Sequence, residues 1–130
     1  MTIEEIVHGE SKNVEFKVRL PDDSAKYIKT IIAFANTQGG RLVVGVDDKT
    51  RSVTGVADDS AFQIMDNIAN AVSDSCTPQI VPDIELRTID KHTVIVVTVA
   101  PGPNRPYYLK SKGKKQNIYS NGRYFQTSGS

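Results

Sequence analysis

The run LVVGV, Leu42 to Val46, constrains this chain more than any other stretch. It is unbroken in its apolarity and too short for an ordinary helix, so it fits a central strand covered on both faces. What precedes it sets the order of elements. From Ser24 to about Gln38, Ile28, Ile31, Ile32 and Ala35 fall at helical spacing, with Tyr27 and Phe34 beside them. That pattern predicts a helix with a broad, buried apolar face. Gly39 and Gly40 follow, where glycine stops a helix. Helix, glycines, strand is the reverse of a phosphate cradle, in which a glycine loop leads into a helix N-terminus. A helix C-terminus repels anions. Neither G-x-x-x-x-G-K-[ST] nor G-x-G-x-x-G occurs, so nothing here predicts self-contained ATP hydrolysis.

The remaining elements can be read outward from this unit. Val14, Phe16, Val18 and Leu20 alternate with Glu15, Lys17 and Arg19, a half-buried strand ended by Pro21. Asp22, Asp23 and Ser24 offer caps for the first helix. Asp58, Asp59 and Ser60 offer caps for a second, on which Ala61, Ile64, Met65, Ile68, Ala69 and Val72 form an apolar stripe ending near Asp74. Val53–Val56 is a brief strand or turn around Gly55. DIELRTI (83–89) and TVIVVTV (93–99) read as a hairpin joined through Asp90–His92. After the break PGPNRP, YYL and NIY are short edge strands separated by KSKGKKQ. The expectation is an α+β fold with a mixed sheet and two main helices, in the order β-α-β-α-β-β-(β-β). At 130 residues this is one domain.

Composition narrows the class. No apolar run approaches the roughly 20 residues of a membrane span, and the acidic N-terminus lacks the apolar segment of a signal peptide. Cys76, the single cysteine, permits no internal disulfide and suits a cytoplasmic setting; following a helix, it reads as a small apolar filler rather than a nucleophile. One cysteine with His8 and His92 makes no zinc set. Charge is uneven. Residues 1–100 hold ten Lys/Arg against fifteen Asp/Glu, whereas residues 101–130 hold six Lys/Arg and no acid, giving −5 and +6 for a total of +1. The six are Arg105, Lys110, Lys112, Lys114, Lys115 and Arg123, interleaved with Tyr107, Tyr108, Tyr119 and Tyr124. Lysines there would neutralise phosphates and tyrosines would stack on unpaired bases of DNA or RNA. The same residues would serve equally to pack a sheet and solubilise a loop.

Four acids are candidates for a divalent-metal site: Glu10, Glu15, Asp47 and Asp48. Carboxylates that hold Mg²⁺ or Mn²⁺ can stabilise the attacking and leaving oxygens of phosphodiester cleavage. Glu10 and Glu15 fall on opposite faces of one strand, so they converge only if residues 9–13 form a loop. Asp47 or Asp48 joins them only if LVVGV lies beside the first strand, as in a β-α-β unit. Otherwise Glu15 is a solvent-facing strand residue and the aspartates belong to a loop.

GESKNVEFK and IIAFANTQGGRLVVGVDD together resemble the AlbA_2 domain family, also called Schlafen AlbA_2 or divergent AAA-4. The family patterns are E-S-x-x-x-E-F-K and A-F-A-N-T-x-G-G-x-L-x-x-G-V-x-D. They appear here as Glu10, Ser11, Glu15, Phe16 and Lys17, then Ala33 to Asp48, and the likeness spans residues 8–125. It implies an α+β fold and a DNA- or RNA-binding role. In bacterial relatives classed as transcriptional regulators, the domain begins a longer chain. In some Schlafen relatives it is an endoribonuclease acting on structured RNA; the resemblance then carries metal-binding roles to Glu10, Glu15 and one of Asp47 or Asp48. Pairing of two copies would widen a basic face. The chain departs from the family ending Y-x-R-x-G, with Asn121 in the arginine's place and Arg123 after the glycine. Nothing in it corresponds to the Schlafen zinc site.

Overall fold

Leu42–Val44 of the LVVGV run do lie in an interior strand, but that strand begins at Gly40 and ends at Val44, before the Gly45 bend. The computed structural model describes residues 3–7, 13–111, 114–118 and 124–127, those beyond Lys110 as backbone. Elements run α1 (Ile3–Val7), β1 (Val14–Lys17), α2 (Ala25–Asn36), β2 (Gly40–Val44), α3 (Asp58–Ser75), β3 (Cys76–Thr77), β4 (Asp83–Ile89), β5 (His92–Val99), β6 (Tyr108–Ser111), β7 (Lys114–Ile118) and β8 (Tyr124–Thr127). Two four-stranded sheets result, ordered β1-β2-β5-β4 and β3-β6-β7-β8. β1 and β2 pair in parallel across the α2 crossover, and every other pairing is antiparallel. No helix among the described residues is long and apolar enough to cross a membrane.

Alternation along β2 and β5 divides the core in two. Leu42, Val44, Ile95, Val97 and Val99 pack with α2 and α3, while Val43, Val94 and Val96 pack with Phe16, Ile6 and Ile89 on the opposite face. α2 contacts both sheets, which explains why eight of its residues, Tyr27 to Asn36, are buried. Gly39 ends α2 with φ +83° and its N–H donates to the Phe34 carbonyl at 2.8 Å. Gly40 has a different role from a helix stop. It already belongs to β2, and a Cβ there would stand 2.5 Å from the Phe34 ring.

Several boundaries differ from the pattern reading. β1 stops at Lys17 rather than Leu20, because its partner turns away at Gly45 (φ +113°) and the Gly45 and Val46 N–H groups both close on the Lys17 carbonyl. Val18 beyond it is 45% exposed. Asp23, not Ser24, caps α2 by accepting the Ala25 N–H at 3.1 Å. Ala57 occupies the N-cap of α3, which puts Asp58 and Asp59 in the first turn, where the helix dipole favours acids. The hairpin turn is only Asp90–Lys91, both at positive φ as a type I′ turn requires. His92 therefore opens β5 instead of lying in the turn. KSKGKKQ is mostly strand, and the short α1, β3 and β8 had no legible periodicity.

Candidate nucleic-acid interface

The basic segment is anchored from below by one buried polar side chain. Asn36, the last residue of α2, is 9% exposed in an otherwise apolar core. Its Nδ2 donates to the Tyr107 carbonyl at 3.1 Å and its Oδ1 accepts the Tyr107 N–H at 2.7 Å. The pair satisfies two backbone groups where no strand partner exists, just before β6 begins. The Gly102 N–H donates to the Ala35 carbonyl at 2.8 Å, so the proline-rich loop is tied to the same helix end. Arg105 stands exposed on that loop, with Nη1 3.4 Å from the Thr37 carbonyl it donates to.

Tyr107 is not available to stack on a base. It is 2% exposed, and its hydroxyl accepts the Asn104 N–H at 3.1 Å. A Cβ on Gly102 would lie 2.1 Å from its ring, so glycine makes room for the aromatic. Tyr108, half-buried, opens β6. Leu109 is buried and Lys110 exposed, so alternation assigns Tyr108 and Lys110 to the outward face. The β6–β7 register sets Lys115 directly opposite Lys110 and Asn117 opposite Tyr108. Positions opposite in register share a face, so positions 110 and 115, both lysine, set like charges opposite one another. Lys114 sits opposite Ser111, a position of the Leu109 face. Lys112 and Arg123 lie outside the described residues.

Of the four acids, Glu15 lies on β1 and Asp47 and Asp48 in the loop after β2. Glu15 points toward α2, where it accepts the Thr30 hydroxyl at 2.7 Å. It pairs in register with Leu42, while Asp47 lies beyond the Gly45 bend. Asp47 organises its own loop: Oδ1 accepts the Lys49 and Thr50 N–H groups, each at 2.9 Å. Those bonds, Thr50 first and Lys49 next, hold its carboxyl below the usual aspartate range. Asp48 is exposed and 3.4 Å from Arg51, whose guanidinium also lies 4.3 Å over the Phe16 ring. Among the described residues no three His, Cys, Asp or Glu side chains gather to hold a metal ion. Glu10 lies outside those residues.

A family model for the Schlafen AlbA_2 domain matches residues 10–128. The chain belongs to this family. The solution NMR structure of the N-terminal domain of a RecG-related protein from Nitrosomonas europaea is similar to this AlbA_2 domain. The TM-score is 0.65 at 24% identity, covering 98% of this chain and 88% of that one. The crystal structure of the DIP2311 protein from Corynebacterium diphtheriae has a TM-score of 0.62 at 16% identity, over 96% of this chain. This AlbA_2 domain spans only 25% of that protein. At these identities the likeness is one of fold, and it agrees with the α+β architecture read from the sequence.

Asn36 is the residue that pattern reading missed. In the AlbA_2 motif it is the asparagine of A-F-A-N-T, four positions after Ile32 on the apolar stripe of α2. A polar residue in phase with a buried stripe was the available signal, since such a group must find partners inside.

Proposed function

We propose that this AlbA_2 domain binds nucleic acid through the outward face of the β6–β7 hairpin, as the DNA-binding module of a bacterial regulator. One observation carries the reading: Lys110 and Lys115 are register partners in a segment without a single acid. Like charges directly opposite destabilise a sheet. A phosphate between them would relieve that repulsion and release counterions. Tyr108 beside Lys110 supplies a ring at the same face, and Arg105 a third cation on the adjoining loop. The similar domain from Nitrosomonas europaea belongs to a protein whose name relates it to a DNA helicase, which supports a DNA partner.

Fluorescence anisotropy of labelled duplex DNA, titrated across salt, tests this. The log-log slope of affinity against salt should steepen by roughly 0.9 per phosphate neutralised. The informative variant is K110E. It places an acid opposite Lys115, which favours the hairpin by roughly 0.2–1 kcal/mol, yet removes a phosphate partner. Binding should fall, and the slope should shallow by about one, with the fold intact. Affinity insensitive to salt, or to K110E, would remove the proposal. Running structured RNA in parallel distinguishes DNA from RNA as the partner.

A further inference from the structure

The outer strand β4 closes one side of the first sheet, and no described element pairs with its free edge. Its seven residues, Asp83–Ile89, are long for an unprotected edge, which is a template for another strand. Which backbone groups face outward follows from the hairpin. A two-residue type I′ turn makes its flanking pair, Ile89 and His92, the hydrogen-bonded one. Bonding alternates along an antiparallel ladder, so Arg87, Glu85 and Asp83 also bond to β5. Ile84, Leu86 and Thr88 therefore direct their N–H and C=O groups to the free edge. The Thr93 carbonyl agrees with this phase: it faces away from β4 and accepts the Val56 N–H at 2.8 Å.

The sequence of this edge is complementary to itself. With Leu86 on a two-fold axis, an antiparallel second copy sets Leu86 opposite Leu86, Ile84 opposite Thr88 and Glu85 opposite Arg87. The first two are the hydrogen-bonded pairs. The third is a non-bonded pair, the closer kind, in which side chains interact most. Glu85 and Arg87 are already within ion-pair contact in one chain and partly exposed, so both heads are on one face, and a second copy would offer each a further partner across the joint. Ile84 and Leu86, on the other face, are half-buried against the core, and a second copy would extend that layer.

We propose that two copies of this chain associate through β4, making one continuous eight-stranded sheet with two symmetric Glu85–Arg87 pairs at the joint. This inference is independent of the nucleic-acid reading, since it uses neither Lys110 nor Lys115. Sedimentation or light scattering over a range of protein concentrations should show a dimer. R87E sets Glu85 opposite an acid at both symmetric positions and should weaken association by about tenfold or more. The double exchange E85R/R87E restores opposite charges and should recover it. Hydrogen exchange gives a readout that a folding defect would not reproduce. On concentrating the protein, the amides of Ile84, Leu86 and Thr88 should slow, while those of Glu85 and Arg87, bonded to β5 throughout, should not change. A monomer at millimolar concentration would overturn the inference. So would a dimer in which R87E has no effect, or in which the double exchange is as weak as R87E.

Discussion

Replacing Asn36 with alanine leaves the Tyr107 N–H and C=O without partners in a site that is 9% exposed at Asn36 and 2% at Tyr107. The two lost bonds are 3.1 and 2.7 Å long, neither of them marginal. A buried group stripped of its partner costs about 1–3 kcal/mol, so the pair should cost about 2–6 kcal/mol. Against a total stability of about 5–15 kcal/mol this is a large fraction. With a urea slope of about 1–3 kcal/mol/M, the unfolding midpoint should drop by roughly 1–3 M. A drop below about 0.3 M would show that the two bonds contribute little. N36D separates hydrogen bonding from packing. Its carboxylate can still accept the Tyr107 N–H but meets the Tyr107 carbonyl with a second acceptor. Burial and that carbonyl raise the introduced group's folded pKa above its unfolded value of about 4. Stability from such a group is fully present below the unfolded pKa and is lost as pH rises through the folded pKa. The gap between N36D and wild type should therefore narrow on acidification, since the protonated form can donate to the carbonyl. A gap that stays constant from neutral to acid pH would refute the argument.

Three further outcomes follow from the geometry. Gly40→Ala should destabilise by about 1–3 kcal/mol in thermal or urea unfolding, because its Cβ would meet the Phe34 ring at 2.5 Å and overpack the core. Asp47 is held ionised by loop N–H groups, so its stabilising effect is present above the unfolded pKa and lost as pH falls through the depressed folded value; D47N should flatten the acid limb of stability against pH, measured by denaturation in steps below pH of about 4. Cys76 is buried, and desolvation pushes its thiol up to about 12, so iodoacetamide at neutral pH should label it only as the protein unfolds.

How much of this was legible in the sequence depended on the range of the forces involved. The helix over residues 25–36 and the second helix declare themselves through hydrophobic period, and the double-faced strand and the 83–99 hairpin through short apolar runs bounded by turn residues, because one residue's burial follows the geometry of its own element. Strands shorter than one clear alternation, such as Cys76–Thr77, carry no such period, and β1 ended early only because its neighbour bent away at Gly45. The candidate site divides in the same way. A basic, acid-free segment is a matter of counting, and sequence alone established it. That Tyr107 is core while Tyr108 and Lys110 face outward was decided by Asn36, 71 residues away. Which lysine position opposes which was decided by strand register, and the placing of Asp47 in a loop beyond the strand by the bend at Gly45. Local pattern follows from each residue's own solvation. Pairing across the chain is set by which distant groups finally satisfy one another, and only the folded structure makes that choice.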